Sequence, residues 1–339
     1  MRCLKVSLGE RSYDVVIGKG SLDLVGEVFD LNRRVLIVTD ENVPLKYPIR
    51  VKKQSKDAEI LTLHSGEGTK SFAQLERIHE KLIEMKMTRQ DCIVAVGGGV
   101  IGDLAGFAAA TYMRGIDFYN IPTTTLSQVD SSIGGKTAIN LGGVKNIVGA
   151  FHQPRAVLID TETLDTLPER HYAAGLCEAI KMAVCFNEEL FKKFEEMSYE
   201  NIKENIDWFI GEALSIKKKI VEMDEKEGGI RKALNFGHTI GHGIESAGAL
   251  EELYHGECVA IGMLPFSSDE VRERLVAVLK KVGLPTRYSG ETQDVLHYTL
   301  HDKKSVEDGC SAIFVENVGE CLTRKIGVEE LAYYTSKIF

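Results

Sequence analysis

Cys92-Ile93-Val94-Ala95-Val96-Gly97-Gly98-Gly99-Val100-Ile101-Gly102-Asp103 is the stretch on which the fold turns. An apolar run ends in three glycines, and an Ala-rich segment of helical character, Val100–Thr111, follows at once. Gly97, Gly99 and Gly102 satisfy Gly-x-Gly-x-x-Gly. In such a turn the glycines let the backbone approach a pyrophosphate, and the helix N-terminus offers N–H groups and positive partial charge. Alone, the pattern fits a plain strand-to-helix turn as well as it fits a dinucleotide.

Working outward, β-branched runs predict strands at Tyr13–Ile17, Arg34–Thr39, Glu59–Leu63, Cys92–Val96, Phe118–Ile121 and Ala156–Ile159, and Phe72–Met85 has apolar residues at helical spacing. Strands separated by helices predict parallel pairing, hence an α/β domain with a Rossmann-like parallel sheet. An ordinary Rossmann fold carries the fingerprint in its first βα turn. Here an earlier strand ends in Val38-Thr39-Asp40, so a ribose-binding carboxylate would precede the phosphate turn; Asp40 serves equally well as a turn cap.

The pattern changes near Asp165. Thr166-Leu167-Pro168-Glu169 reads as a capping box with Pro in the first turn, opening a helix that carries Glu178. Helical patterns continue through Glu188–Met197, Tyr199–Asp224, Asn235–Ala247, His255–Met263 and Glu270–Val282, the last opened by a box at Ser267-x-x-Glu270. Ser311–Val315 and Leu322–Ile326 read as a strand pair. A chain of 339 residues predicts two domains: residues 1–165, α/β and nucleotide-binding, and 166–339, mostly helical and metal- and substrate-binding.

The bulk numbers remove several function classes. At 44% hydrophobic and 27% charged the chain is not mainly disordered. A net charge of −9 argues against nucleic acid as a partner. No apolar run approaches the ~20 residues of a membrane span, and Met1-Arg2-Cys3-Leu4-Lys5 opens no signal segment, so a cytoplasmic protein is expected. The seven cysteines include no Cys-x-x-Cys pair and suggest neither a disulfide framework nor a thiolate metal site. Gly134-Gly135-Lys136-Thr137 looks like the end of a Walker A loop, but Asp130 stands where that loop needs glycine and would oppose a triphosphate.

His238 and His242, four residues apart, share a helical face, and His255 follows in Tyr254-His255-Gly256-Glu257. All three suit a metal, or one serves acid–base chemistry while a carboxylate joins the others. Glu178 is the best carboxylate, because it lies in a small, apolar stretch where a lone charge is costly; the plainer account is an ion pair with Lys181 one turn on. Arg231 and Lys217, with Lys136 and Lys145, would give a cationic pocket for a substrate bearing two anionic groups. A metal and a nicotinamide together point to alcohol or sugar chemistry.

These motifs, in this order, resemble those of the 3-dehydroquinate synthases. The resemblance runs from about Arg34 to Gly319 and rests on Gly97–Gly106, Tyr112-Met113-Arg114-Gly115, Pro122–Lys136, Lys145–Phe151, Gly175–Lys181, Arg231–Glu245 and His255–Met263. It implies an N-terminal α/β NAD domain and a C-terminal helical metal domain. It implies zinc, or cobalt in some members, held by Glu178, His238 and His255, with His242 assisting proton transfer near the phosphate. Asp130, Lys181 and Asn235 would meet substrate hydroxyls or the metal's surroundings. Lys136, Asn146, Lys217, Arg231 and one of Lys303 and Lys304 would bind phosphate and carboxylate. Arg114 would reach a neighbouring subunit, which makes a homodimer the expected assembly. NAD would be met by Asp40, Glu67, Lys70, Gly98, Gly99, Val100, Asp103, Thr123, Thr124 and Lys145. The implied reaction turns 3-deoxy-D-arabino-heptulosonate 7-phosphate into 3-dehydroquinate and phosphate, by transient oxidation, elimination, re-reduction, ring opening and aldol closure. The rivals are another sugar-phosphate cyclase, such as a 2-deoxy-scyllo-inosose synthase, and a metal-dependent glycerol or alcohol dehydrogenase.

Overall fold

A computed structural model describes residues 1–248, 253–302 and 310–338. They form two compact units, Met1–Leu167 with Lys217–Lys226, and Pro168–Ile216 with Glu227–Phe339. Lys217–Lys226, assigned from sequence to the second domain, clusters with the first unit instead. Among the described residues no helix is long and apolar enough to cross a membrane.

The first unit is built on a seven-stranded sheet. In chain order its strands are β1 (Arg2–Val6), β2 (Tyr13–Ile17), β3 (Arg34–Asp40), β4 (Asp57–Leu63), β5 (Cys92–Gly97) and β6 (Asp117–Pro122). Two more strands, β7 (Lys136–Leu141) and β8 (Val144–Phe151), form a separate antiparallel hairpin, and β9 (Ala156–Ile159) returns to the large sheet. The sheet order is β1-β2-β9-β6-β5-β3-β4. Only β1–β2 is antiparallel; every other pairing is parallel. All six predicted strands are present.

Alternation along β3 and β5 explains why these runs are apolar throughout. Leu36, Val38, Ile93 and Ala95 enter a core with Ile78, Leu82 and Leu104 on one face. Val35, Ile37, Cys92, Val94 and Val96 join Val25, Phe29, Tyr47 and Leu158 on the other. A parallel strand buried on both faces has no polar side to show.

From β3 the chain goes to β4 on one side and then to β5 on the other, so the order in which strands are added reverses between β3 and β5. Ligands of open α/β sheets bind at the carboxyl ends of the strands beside such a point. Val38 lies opposite Ala95, which makes Asp40 and Gly97 neighbouring strand ends. Gly97 in turn lies opposite Pro122, just before Thr123 and Thr124.

The second unit is mostly helical. Its main helices are Glu169–Phe186, Glu188–Glu196, Tyr199–Glu204, His238–Ser246, His255–Met263, Asp269–Lys281 and Thr292–Asp302, with an antiparallel pair of β10 (Cys310–Asn317) and β11 (Glu320–Ile326). The helix Ile206–Met223 begins in this unit.

Several local expectations need correction. Thr166 caps nothing in the Glu178 helix. It ends a short 3-10 turn, its hydroxyl donates to the Thr163 carbonyl, and Pro168 stands at the N-cap without a side-chain bond. The cap of the Asp269–Lys281 helix is Ser268, accepting from Val271 N–H, while Ser267 donates to the Met263 carbonyl. The span Tyr199–Asp224 breaks at Asn205, whose side chain donates to the Asn201 carbonyl at 2.8 Å. Asn235 ends a 3-10 turn, and the helix proper begins at His238.

Candidate active site

In the second unit, Glu178, His238 and His255 come from three different helices, and one donor atom of each lies within 4.8 Å of the others. Two glycines on the His255 helix let these helices meet at backbone distance. A β-carbon on Gly256 would stand 1.9 Å from the Ala174 carbonyl oxygen, and one on Gly262 would stand 2.1 Å from that of Gly237. Both distances are far inside contact, so no larger residue fits without parting the helices.

Glu178 is 2% exposed, and neither carboxylate oxygen has a hydrogen-bond partner of good geometry. Its Oε1 is 3.7 Å from His238 Nε2 and 3.6 Å from His255 Nε2, longer than hydrogen bonds. Lys181 forms an ion pair with Oε2. A buried carboxylate whose Oε1 faces two imidazole nitrogens across a gap makes, with them, a donor set for a divalent cation.

The electrostatics agree. Burial pushes Glu178 up, but Lys181 and the two imidazoles hold it well below the usual carboxylate range. Burial, helped by Lys181, pushes His238 well below an ordinary imidazole. His255 is also buried, yet Glu178 and Glu245 raise it to about 9. A divalent ion entering the triad would displace that proton.

His242 joins the three-imidazole cluster, its ring 5.2 Å from that of His238 and 6.0 Å from that of His255. Arg231, 2% exposed, lies on the preceding 3-10 turn. Asn235 donates to Glu227 at 3.0 Å. Lys303 and Lys304 lie outside the described residues.

In the first unit the residues assigned to a cofactor lie at or follow the carboxyl ends of β3 to β6, except Lys145, which lies on the β7–β8 hairpin. The helix Gly99–Thr111 has Gly98 at its N-cap and no side-chain cap, so a ligand is free to take its first N–H groups. Val100 is part-exposed in that first turn, Thr123 is buried after β6, and Thr124 bonds Ser127 at 2.8 Å. Asp40 accepts from Asn42 N–H at 2.9 Å and is pushed up by burial. Both turn-capping and ribose-binding therefore suit it.

Beside this turn Lys70, 4% exposed, pairs with Asp103 at 2.6 Å and also contacts Asn146. Asn140 bonds Glu67 at 2.9 Å and accepts from Asn146 N–H at 2.8 Å. Asn146, expected to meet substrate, thus stands among residues expected to meet NAD. Asn140 carries no motif spacing; only the unforeseen β7–β8 hairpin brings it there. Lys136 and Lys145 are exposed on that hairpin. Because Lys136 opens a strand, the Walker-like glycines lack the helix that a P-loop requires.

Asp130 sits in a π-helical turn, Ser127–Ser131, an irregularity common at functional sites. Lys217, 5% exposed, pairs with its carboxylate at 2.8 Å. Arg114 is exposed, and Met113 and Arg114 both have positive φ, 50° and 70°, before Gly115 at 119°.

Comparison with known proteins adds an independent line. Residues 60–174 match the family described as 3-dehydroquinate synthase N-terminal, and residues 175–305 match 3-dehydroquinate synthase C-terminal. A 3-dehydroquinate synthase of Clostridium beijerinckii is 41% identical over 97% of this chain and 99% of its own. One of Clostridium perfringens is 44% identical over 94% and 97%. Among solved structures, a 2-deoxy-scyllo-inosose synthase complexed with carbaglucose-6-phosphate, NAD+ and Co2+ superposes with a TM-score of 0.89 at 25% identity, covering both chains fully.

Proposed function

The chain belongs to the 3-dehydroquinate synthase family, and from that membership we propose that it converts 3-deoxy-D-arabino-heptulosonate 7-phosphate into 3-dehydroquinate and inorganic phosphate, with NAD and one divalent cation, zinc or cobalt, resident in the enzyme. The observation that carries the reading is Glu178, buried, lacking hydrogen bonds of good geometry and facing His238 and His255. When bound, NAD supplies a reversible hydride acceptor and the cation a Lewis acid. The reaction has no net redox change, so the class is lyase.

The side chains divide the remaining work. Glu178, His238 and His255 hold the cation, and Lys181 keeps the Glu178 carboxylate ionised. His242, beside that set, moves a proton at a phosphate oxygen. In the first unit Asp40 takes a ribose hydroxyl, and the helix start at Gly98, Gly99 and Val100 takes the pyrophosphate. Glu67, Lys70, Asp103, Thr123, Thr124 and Lys145 complete the NAD contacts. Lys136, Asn146, Lys217, Arg231 and one of Lys303 and Lys304 serve the substrate's phosphate and carboxylate, while Asp130 and Asn235 serve its hydroxyls. Arg114, on its strained turn, serves the site of a second subunit in a homodimer. The protein works in the cytoplasm.

The test is to incubate purified protein with NAD and Zn2+ or Co2+ and the heptulosonate phosphate. Stoichiometric phosphate, a 3-dehydroquinate product and no accumulating NADH are expected. Steady NADH from simple polyols would support a dehydrogenase instead. Turnover of a hexose phosphate lacking the carboxylate, with none of the heptulosonate, would support the inosose-type cyclase.

A further inference from the structure

The two histidines of the triad are held alike at their outer nitrogens, but by different oxygens. His238 Nδ1 is 3.1 Å from the Phe236 carbonyl, and its Nε2 faces Glu178. His255 Nδ1 is 3.4 Å from Glu245 Oε2, and its Nε2 also faces Glu178. A neutral imidazole carries one N–H and one lone pair. A carbonyl oxygen only accepts, so the proton of His238 belongs on Nδ1 and its lone pair on Nε2. Glu245 does for His255 what that carbonyl does for His238.

The placement follows from the helix His238–Ser246. Glu245 is seven residues from His238, two helical turns on, so both project from one face. That face meets the start of the helix His255–Met263. Glu245 is 9% exposed, too buried for a carboxylate with no task beyond solubility. From this geometry we infer that Glu245 is a positioning residue of the cation site: it accepts from His255 Nδ1–H, fixes that tautomer and aims Nε2 at the ion.

The inference rests on the cation reading above and extends it to a residue outside the ligand set. It has one competitor in the same atoms. His242, Glu245 and His255 also bring donor atoms within 4.8 Å of one another, so Glu245 would instead be the ligand of a second ion.

Titration of the metal-free protein with Zn2+ or Co2+ against a chelator of known affinity decides between them. Wild type is expected to take one equivalent. Glu245→Ala should bind the same single equivalent about 10–100-fold more weakly, with an altered Co2+ visible spectrum. Glu245→Gln retains an oxygen that accepts from Nδ1–H, so it should recover most of the affinity and the wild-type spectrum; a loss through packing alone would not track the acceptor. Unchanged affinity in Glu245→Ala overturns the inference while leaving the triad standing. Two equivalents in wild type, falling to one tight equivalent in Glu245→Ala, overturn it in favour of the second ion. A wild type that takes up no ion overturns the cation site and this inference with it.

Discussion

Glu178 Oε1 faces His238 Nε2 at 3.7 Å, the arrangement from which both are proposed as ligands of the cation. His238→Ala should therefore lose the cation, whereas His242→Ala should keep it and lose turnover; metal analysis after desalting, beside phosphate release, measures both. Equal metal loss in the two variants would reverse the assignment. Away from the site, Asp117 shows how charge supports the sheet. Burial raises its carboxyl, but hydrogen bonds from Arg155 at 2.6 Å and Arg33 at 2.7 Å outweigh it and leave the group below its usual value. A depressed folded value gives stability that is present above the unfolded pKa of about 3.9 and is lost as pH falls through the folded one. Asp117→Asn should thus flatten the acid limb of the stability curve, seen as urea midpoints that converge with wild type once pH has fallen below the lowered folded value. That Glu178, His238 and His255 are candidate donors was legible from His spacing and from Glu178 in an apolar helix, and the structure brings the three together. Glu245 was not, because nothing in a sequence says which nitrogen of His255 faces it.

Elements legible in the sequence were those whose pattern the core enforces. β3, β5 and β9 are apolar on both faces and were read nearly to the residue. The hairpin β7–β8 was missed because β8 is exposed or part-exposed throughout and shows no clean alternation, while glycines at both ends suggest loop. Missing it hid the route by which Asn140 and Asn146 reach Lys70. Helix ends were misread where a serine or threonine had two candidate partners, as at Thr166 and Ser267. Gly262→Val would drive side-chain atoms into the Gly237 backbone, and overpacking of this kind costs about 1–3 kcal/mol or more. Chemical denaturation should show that loss, and cation affinity should fall with it, since Gly237 directly precedes His238. A variant that melts like wild type but binds no metal would mean that the glycine acts on the ion rather than on packing.

For the molecule as a whole, the residues proposed for NAD lie in the first unit and those proposed for the cation in the second, so the two ligands should protect different amides. Hydrogen exchange with NAD is expected to slow the strand ends at Asp40, Gly97 and Thr123, and exchange with Zn2+ to slow the helices bearing His238 and His255. NAD at a hundred times its Kd should add about 2.7 kcal/mol to the stability of the unit it binds; protection spread evenly over both units would contradict this division. The first unit closes late in the chain. β2 aligns Asp14 with Ala156 of β9, and Arg11 is bridged to Glu225, 214 positions away. On a ribosome, where domains tend to fold as they emerge, the amino-terminal strands must wait for nearly half of the polypeptide, through Ile159 of β9, to be synthesised. Until then, half-made sheet edges stand open to other nascent chains. Synthesis in cells should therefore depend on a holdase at this stage more than the stability of the finished enzyme would suggest.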